Sequence, residues 1–266
     1  MTTSVRTTPI PRVTAVTRGI VGSVVFVVLL EAAVRTGLIG SASLPLPSEV
    51  LGRTFEMLVD PAVLTEVLAT MKSWGLGLLV AGVVGVGLGM ALGSWRLLAR
   101  LSRGPVELLR PLPAVAIAPL LLSLLGRGVV SRSLAVAYAA LWPILFNTIY
   151  GMRSVDPVAK ETARSFGLSS FGVLTRVTIP TMSPFVFTGV RVASAIALIV
   201  AVSVEFLLPG GDDRGLGGIV VEAQAGGDLL TMYATVVIAG LLGLVTNAVL
   251  VAIERRVFGW RRGLAQ

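Results

Sequence analysis

Long apolar segments recur along this chain and constrain its fold more than any other feature. A helix needs about 20 apolar residues to cross the roughly 30 Å of hydrocarbon in a bilayer. Backbone exposed to lipid must satisfy its own hydrogen bonds, so each segment is expected to be helical. The six segments are residues 19–34, 67–92, 106–125, 129–150, 184–208 and 231–253. The sequence therefore predicts an all-α integral membrane protein with six transmembrane helices.

Composition supports this fold class and removes several functions. The chain is 55% hydrophobic and only 14% charged, whereas soluble domains carry about 25% charged residues. It contains no cysteine and no histidine, which excludes disulfides, thiolate metal sites, a cysteine nucleophile and an imidazole base. We expect no catalytic residues, no metal site and no cofactor.

The basic residues indicate the orientation of the chain. They have no aromatic residues interleaved with them, so the net charge of +8 is not interpreted as nucleic-acid binding. One side of the predicted spans carries fourteen of them and the other side five, and Lys and Arg are enriched on the cytoplasmic side. The fourteen are Arg6, Arg12, Arg18, Arg96, Arg100, Arg103, Arg153, Lys160, Arg164, Arg176, Arg255, Arg256, Arg261 and Arg262, and the five are Arg35, Arg53, Arg127, Arg132 and Arg214. We therefore predict cytoplasmic termini, a cytoplasmic segment at residues 1–18 and a single transmembrane domain at residues 19–266.

A polar loop, residues 151–183, joins the fourth and fifth predicted spans on the cytoplasmic side. Asp156 followed by proline is a strong helix start, and Gly167 can end that helix in a left-handed cap. The residues alone leave two interpretations open. The loop is either a docking surface for a partner protein or a solvated helical hairpin.

A second short helix is predicted in the same loop. Ser169 or Ser170 can cap its start. We expect it to end by Pro180, before the fifth span begins.

Three glycines four residues apart, Gly85, Gly89 and Gly93, form a ladder in the second span. Such ladders let another helix approach closely in lipid. The ladder serves either general tight packing or a moving or dimeric interface.

The third span opens with Pro111 and Pro113. Each removes a backbone donor. The two prolines mark either a broken helix that lines a pathway or the start of a helix.

Between the first two spans, residues 48–59 form an amphipathic segment. Ser48 is the predicted helix cap. The segment lies either in the outer membrane–water interface or against the bundle.

Three ionisable residues fall within the spans, where charged groups are functional candidates by default. Glu31 is close enough to the outer end of its span to reach the interface. Arg191, about two turns into the fifth span, can extend its side chain towards the interface. Glu205 lies about 14 residues, or ~21 Å, further along the same helix. We expect the two not to pair and take Glu205 as a candidate near the mouth of a translocation pathway.

The polar loop resembles the signature loop of permease subunits in bacterial ATP-binding cassette importers. That family pattern is Glu-Ala-Ala, three residues, Gly, nine residues, then Ile-x-Leu-Pro. The spacing is intact here, with threonine, valine and isoleucine replacing the second, fifth and sixth signature residues. The matching residues are Glu161, Thr162, Ala163, Gly167, Val177, Ile179 and Pro180.

The resemblance is closest to the branch of permeases that imports nitrate, sulfonates and taurine. Arg127 and the charged Asp212-Asp213-Arg214 segment depart from the pattern of that branch, both on the outer side. The segments that carry the similarity are Leu44-Pro45-Leu46-Pro47-Ser48, Arg110-Pro111-Leu112-Pro113, Gly189-Val190-Arg191 and Gly215-Leu216-Gly217.

The resemblance implies a type I importer permease with a cytoplasmic coupling helix between spans four and five. It also implies a homodimer in a bacterial plasma membrane, two cytoplasmic ATP-binding cassette subunits and an external solute-binding protein. The solute would be a sulfonate, taurine, nitrate or a related small compound. The seven matching residues would couple the spans to the ATPase.

The chain itself has no Gly-x-x-x-x-Gly-Lys-Ser/Thr phosphate-binding loop, so it is not expected to hydrolyse ATP. An ion-coupled secondary transporter is the alternative. It would require inverted repeats and paired ionisable groups inside the membrane, and this sequence offers few.

Overall fold

The protein is described here from a computed structural model over residues 12–40, 44–207 and 214–259. The regular structure in these ranges is helical, and a π-helical turn, Leu174–Thr178, joins α9 to α10. Most of the predicted N-terminal segment, Leu208, Asp212 and Asp213 lie outside the described residues. The helices are α1 (Arg12–Arg35), α2 (Pro47–Val59), α3 (Pro61–Ser94), α4 (Arg96–Leu101), α5 (Arg103–Leu109), α6 (Ala114–Leu125), α7 (Val129–Arg153), α8 (Pro157–Ser165), α9 (Ser170–Val173), α10 (Ile179–Leu207), α11 (Gly215–Ala225) and α12 (Leu229–Val257).

The described residues contain five continuous helical segments that are long and apolar enough to cross a membrane. A sixth crossing is available if α5 and α6, bent by 92° relative to each other, are counted as one broken span. The predicted all-α membrane fold is confirmed on this count. The continuous segments are Thr17–Arg35, Pro61–Ser94, Val129–Arg153, Ser170–Leu207 and Leu229–Val257.

The third predicted span, residues 106–125, is broken into two helices, which is one of the two alternatives that its prolines left open. The chain bends after α5, and α6 starts immediately after Pro113. Proline has no N–H and disfavours helical geometry in the residue before it, so a helix does not continue through two of them. At the break, the carbonyl of Leu109 accepts from the N–H of Leu112 at 3.1 Å and from the hydroxyl of Tyr138. Pro111 and Pro113 thus both break the span and precede its second helix.

The centre of the bundle is formed by α3, α7 and α10. Trp74 of α3 donates its indole N–H to the carbonyl of Ser194 on α10 at 3.1 Å. In contrast, α1 is peripheral: most of its described side chains are exposed, and it contacts α2. The buried residues of the central cluster are mainly small and include Ala81, Ala135, Ala140, Ala193, Ala197 and Ala201. Small side chains allow close helix–helix approach in lipid.

The amphipathic segment after α1 is α2, and its N-cap lies two residues earlier than predicted. Leu46 is its N-cap and Pro47 its first residue, so the prediction that Ser48 caps this helix is wrong. Ser48 instead donates its N–H and its hydroxyl to the Glu31 carboxylate at 3.0 and 2.9 Å. Glu31 is therefore bound at the end of α1, where it also pairs with Arg35. The buried face of α2 carries Val50, Thr54 and Met57, and its exposed face carries Leu51, Phe55 and Val59.

The second helix of the polar loop does not end by Pro180, which corrects that prediction. Ser169 caps α9, and the chain then remains helical through the π-turn into α10. The N–H of Ile179 donates to the carbonyl of Leu174, five residues back. This wider turn lets the helix continue through Pro180, which has no N–H to donate. The fifth span is therefore continuous with the loop.

The glycine ladder of α3 packs against α7 of the same chain. A Cβ on Gly85 would lie 3.0 Å from a side-chain carbon of Ile144, one on Gly89 2.5 Å from Thr148, and one on Gly93 2.6 Å from Met152. Gly77, two turns earlier, meets Val136 in the same way at 2.5 Å. The structure therefore places this face of α3 in tight packing within the subunit.

We predict that Gly89→Ala destabilises the chain whereas Gly87→Ala does not. Alanine favours a helix over glycine by about 1 kcal/mol, but forcing an extra methyl into a close contact costs about 1–3 kcal/mol. Gly87 is the matched control, because a Cβ there meets nothing within 4 Å. Thermal unfolding in detergent should show a lower midpoint for Gly89→Ala and an equal or higher one for Gly87→Ala. Equal midpoints would contradict the packing role of Gly89.

Candidate functional site

The loop between α7 and α10 contains a short helix, α8, whose two ends are closed by local hydrogen bonds. Asp156 accepts from the N–H of Val158 at 2.8 Å. At the other end Gly167 has φ +81°, its N–H donates to Arg164, and the N–H of Leu168 donates to Ala163 at 3.1 Å. This pair of bonds around a left-handed glycine is a Schellman motif. The predicted helix between Asp156 and Gly167 is confirmed.

The first half of the signature lies on an exposed helix. Glu161 and Thr162 are exposed, and Ala163 is half-buried. Two large apolar side chains are exposed beside them: Val158 is 64% exposed and Phe166 is 82% exposed. Apolar side chains grouped on an otherwise polar loop are typical of a surface that binds another molecule.

The second half of the signature lies where the loop joins the fifth span. Val177 is half-buried in the π-turn, and Thr178 beside it is buried. Ile179 and Pro180 begin α10 and are exposed. Because α8 contacts both α9 and the π-turn, the two halves of the signature form one surface at the start of α10. We call this end of the bundle the α8 end.

Arg191 forms an ion pair with Glu254 of α12 at 3.0 Å. The two side chains are 40% and 33% exposed, so the pair is partly solvated and contributes modestly to stability. The sequence did not predict this pair, because Glu254 lies one residue beyond the last predicted span and was not counted as a residue within the membrane. Arg191 also lies at a cleft of about 560 Å³ between α10 and α12, whose lining includes Ser194, Ser203, Thr246 and Asn247.

Glu205 is fully buried near the opposite end of α10, beneath α11. One carboxylate oxygen accepts from the hydroxyl of Thr70 at 2.8 Å and from the N–H of Gly217 at 3.2 Å. The other lies 3.8 Å from the guanidinium of Arg132, which is itself buried. Its surroundings are therefore the interior of the subunit, and Arg191 is not among its partners, as predicted from their separation.

Three side chains from two spans bind the first three N–H groups of α11, and we call them the α11 cradle. Glu66 accepts from the N–H of Gly215 at 2.6 Å, Thr70 from that of Leu216 at 3.0 Å, and Glu205 from that of Gly217. Carboxylates at a helix N-terminus satisfy unpaired donors and interact favourably with the helix dipole. The cradle therefore fixes α11 to α3 and α10.

The cradle requires glycine at the start of α11. Gly215 has φ +72°, and a Cβ there would lie 2.1 Å from the carboxyl carbon of Glu205. A Cβ on Gly217 would lie 2.4 Å from the carbonyl of Val202. The Gly-Leu-Gly segment thus has a physical function in this structure: it lets the backbone reach buried carboxylates.

The partners of Glu205 were not predicted from the sequence; they are Glu66, through α11, and Thr70 and Arg132 directly. The hydrogen bond from Gly215 to Glu66 joins residues 149 positions apart, and no local pattern predicts such a contact. The one available signal was the presence of acidic residues near the ends of two apolar spans, close to a glycine-rich segment.

We predict that Glu205→Ala destabilises the chain much more than Glu222→Ala. Removing Glu205 leaves the Gly217 N–H without its buried acceptor, and an unsatisfied buried group costs about 1–3 kcal/mol. It also leaves the buried Arg132 without the carboxylate that faces it. Glu222 is the control because it binds Arg214 from an exposed position. Thermal unfolding of the purified chain measures both. Equal shifts for the two variants would show that the cradle does not hold α11.

Comparison with known proteins identifies the class to which this fold belongs. The family described as "Binding-protein-dependent transport system inner membrane component" matches residues 83–259. The match covers the glycine ladder, the bent third span, the α8 loop and α12. The chain belongs to this family and is a permease of the ABC importer type.

Individual relatives support the assignment. The chain is 36% identical to a putative ABC transporter permease of Methanocaldococcus jannaschii over 70% of this chain and 69% of the relative. It is 24% identical to the nitrate import permease of Leptolyngbya laminosa, covering 79% and 78% of the two chains. It is 23% identical to a putative aliphatic sulfonates transport permease of Bacillus subtilis, covering 92% and 87%. The chain is thus similar to nitrate and sulfonate permeases.

The fold is shared with a solved transporter. A chain of a bacterial alginate ABC transporter, crystallised with an alginate-bound periplasmic protein, superposes with a TM-score of 0.57 over 92% of this chain and 94% of that one. The sequences are 16% identical, so this similarity concerns the fold.

Proposed function

We propose that this chain forms the translocation pathway of an ATP-driven importer and that α8 couples it to cytoplasmic ATPase subunits. Two copies of the chain, two ATP-binding cassette subunits and an external solute-binding protein make up the proposed assembly. The ion-coupled secondary transporter has no support from the family to which the chain belongs.

One observation carries the coupling proposal: α8 is a capped helix with exposed apolar side chains, held against the start of a central span. A helix closed at both ends by Asp156 and the Gly167 motif moves as a unit. The exposed Phe166 is of a size that fills a pocket on a partner, and buried aromatic residues dominate many interfaces. Movement of α8 would act on α10 directly through the π-turn.

The distribution of charge supports the proposed orientation. The predicted cytoplasmic side of the spans, which includes the α8 loop, carries fourteen of the 22 basic residues of the chain, as cytoplasmic sides of bacterial membrane proteins do. We therefore place both termini and the 151–183 loop in the cytoplasm of a bacterial cell, with residues 1–18 as a cytoplasmic segment and the remainder as one transmembrane domain.

The need for a separate ATPase follows from the sequence. Its two lysines, Lys72 and Lys160, do not follow a glycine-rich phosphate-binding loop. A P-loop uses backbone N–H groups and a lysine to hold the nucleotide phosphates. ATP hydrolysis would thus belong to the partner subunits, and this chain would be a transport subunit and not an enzyme.

The proposed solute is a small compound such as a sulfonate, taurine or nitrate. The names of the cyanobacterial nitrate permease and the Bacillus sulfonate permease support this class. The external binding protein would present the solute at the end of the bundle opposite the α8 end, where the cradle holds α11 in place.

We predict that Glu161→Lys, Gly167→Pro and Phe166→Ala each reduce co-purification of the ATPase subunits with this permease. Glu161→Lys reverses a charge on the proposed surface, and proline cannot adopt the positive φ of Gly167. Phe166→Ala removes an aromatic side chain that is 82% exposed, and truncating an interface anchor of this kind weakens binding by roughly 30-fold or more. Co-purification and solute-stimulated ATP hydrolysis in reconstituted vesicles are the measurements.

Val130→Ala is the matched control, because Val130 is 63% exposed at the other end of α7. It should leave co-purification unchanged. A chain that transports solute without ATPase subunits, driven by an ion gradient, would overturn the proposed function.

A further inference from the structure

A small cleft lies between the α4–α5 segment and α7, and its lining shares no residue with α8 or with the α11 cradle. Its volume is about 170 Å³. Leu92 and Leu145 in its wall are buried, Phe146 and Ile149 are half-buried, and Arg103 and Arg153 are exposed. The cleft therefore has an apolar interior with two guanidinium groups at its rim.

The position of the cleft corresponds to the headgroup level of a bilayer. Arg153 is the last residue of α7, Arg103 is the first residue of the broken span, and Leu92 lies two residues before the end of α3. Three spans thus end around this cleft. In a bilayer crossed by these spans, the arginines at their ends would lie at the level of the lipid phosphates, and the apolar wall would lie towards the acyl chains.

The two arginines at the rim have no ion-pair partner among the described residues. Arg103 and Arg153 form no ion pair within 4 Å with any carboxylate of the described residues, although Glu107 lies one turn after Arg103 on α5. A third arginine, Arg110, lies with its guanidinium 4.8 Å from the centre of the Phe146 ring. The cleft therefore attracts an anion.

The neighbouring α4 has the composition of a helix that lies in the membrane interface. Leu97 is 69% exposed and Leu101 68% exposed, and the preceding Trp95 is 65% exposed. Arg96 and Arg100 lie on the same short segment. Exposed Trp and Leu combined with Arg are typical of interfacial segments.

We infer that this cleft is a binding site for an anionic phospholipid, with the phosphate at Arg103 and Arg153 and an acyl chain along Leu145, Phe146 and Ile149. Basic pockets between spans at the charged end of a membrane protein bind lipid headgroups of this kind. A soluble anion would leave the apolar wall uncovered. The inference does not depend on the proposed coupling to an ATPase.

The test is lipid-dependent thermal unfolding of the purified full-length chain in detergent. Phosphatidylglycerol should raise the unfolding midpoint of the wild-type chain, and phosphatidylcholine should not. The double variant Arg103→Gln/Arg153→Gln should raise the phosphatidylglycerol concentration that gives half of this effect by roughly 25-fold. Each arginine near the membrane surface contributes about 1 kcal/mol, or about fivefold in binding. The unfolding midpoint of the double variant without added lipid shows whether that variant folds. Native mass spectrometry counts the lipid molecules that remain bound to the purified chain.

Arg255→Gln/Arg256→Gln is the matched control. It removes the same charge at the same end of the bundle, on α12, from exposed residues that form no ion pair among the described residues. Equal weakening in the control and the test variant would overturn the inference, because the effect would then follow overall charge.

Two further outcomes would also overturn it. The first is that glycerol phosphate or inorganic phosphate stabilises the chain as phosphatidylglycerol does, which would make the cleft a site for soluble anions. The second is a disulfide-linked dimer of a Ser102→Cys variant, whose new cysteine lies beside the cleft. The chain has no other cysteine, so this dimer would show that a second copy of the chain covers the cleft.

Discussion

Close packing of α3 on α7 is the contact on which the rest of this structure depends. Lipid surrounds the helices, so there is little hydrophobic driving force to bring two apolar helices together. Dispersion contacts must do this, and they require the two backbones to approach closely. Gly77, Gly85, Gly89 and Gly93 allow it over four turns. Once α7 is fixed, α10 packs beside it, and the loop that joins them is held at both ends.

The two polar sites of the molecule lie at opposite ends of one helix. The signature loop meets the start of α10, whereas Glu205 near its end holds α11. Ser170–Leu207 is a continuous helical segment of 38 residues, interrupted by no loop. One uninterrupted helical segment thus joins the α8 surface to the α11 cradle. The proposed coupling of α8 to an ATPase would act through this segment.

Arginine has two different environments in this chain. Where arginine packs against other helices of the bundle, a carboxylate is close: Arg132 faces Glu205, Arg191 faces Glu254, and Arg214 faces Glu66. Of these three only Arg132 is buried, and an uncompensated buried charge is costly. At the α8 end, Arg103 and Arg153 are exposed and have no carboxylate partner among the described residues. The same residue type thus stabilises the interior in one place and defines a membrane-facing surface in another.

The sequence by itself determined the spans and α8, because their signals are local. Apolar length predicts a span, and Asp156 and Gly167 close a helix through bonds to residues two to five positions away. The prolines of the third span also indicated a possible break in its helix, but they did not predict the 92° angle between α5 and α6. Only the tertiary structure decided which helix the glycine ladder meets, that α10 continues through Pro180, and that Glu66, Thr70 and Glu205 bind α11. Those contacts join residues far apart in the chain, and a buried carboxylate acquires its partners only when the helices that carry them have packed.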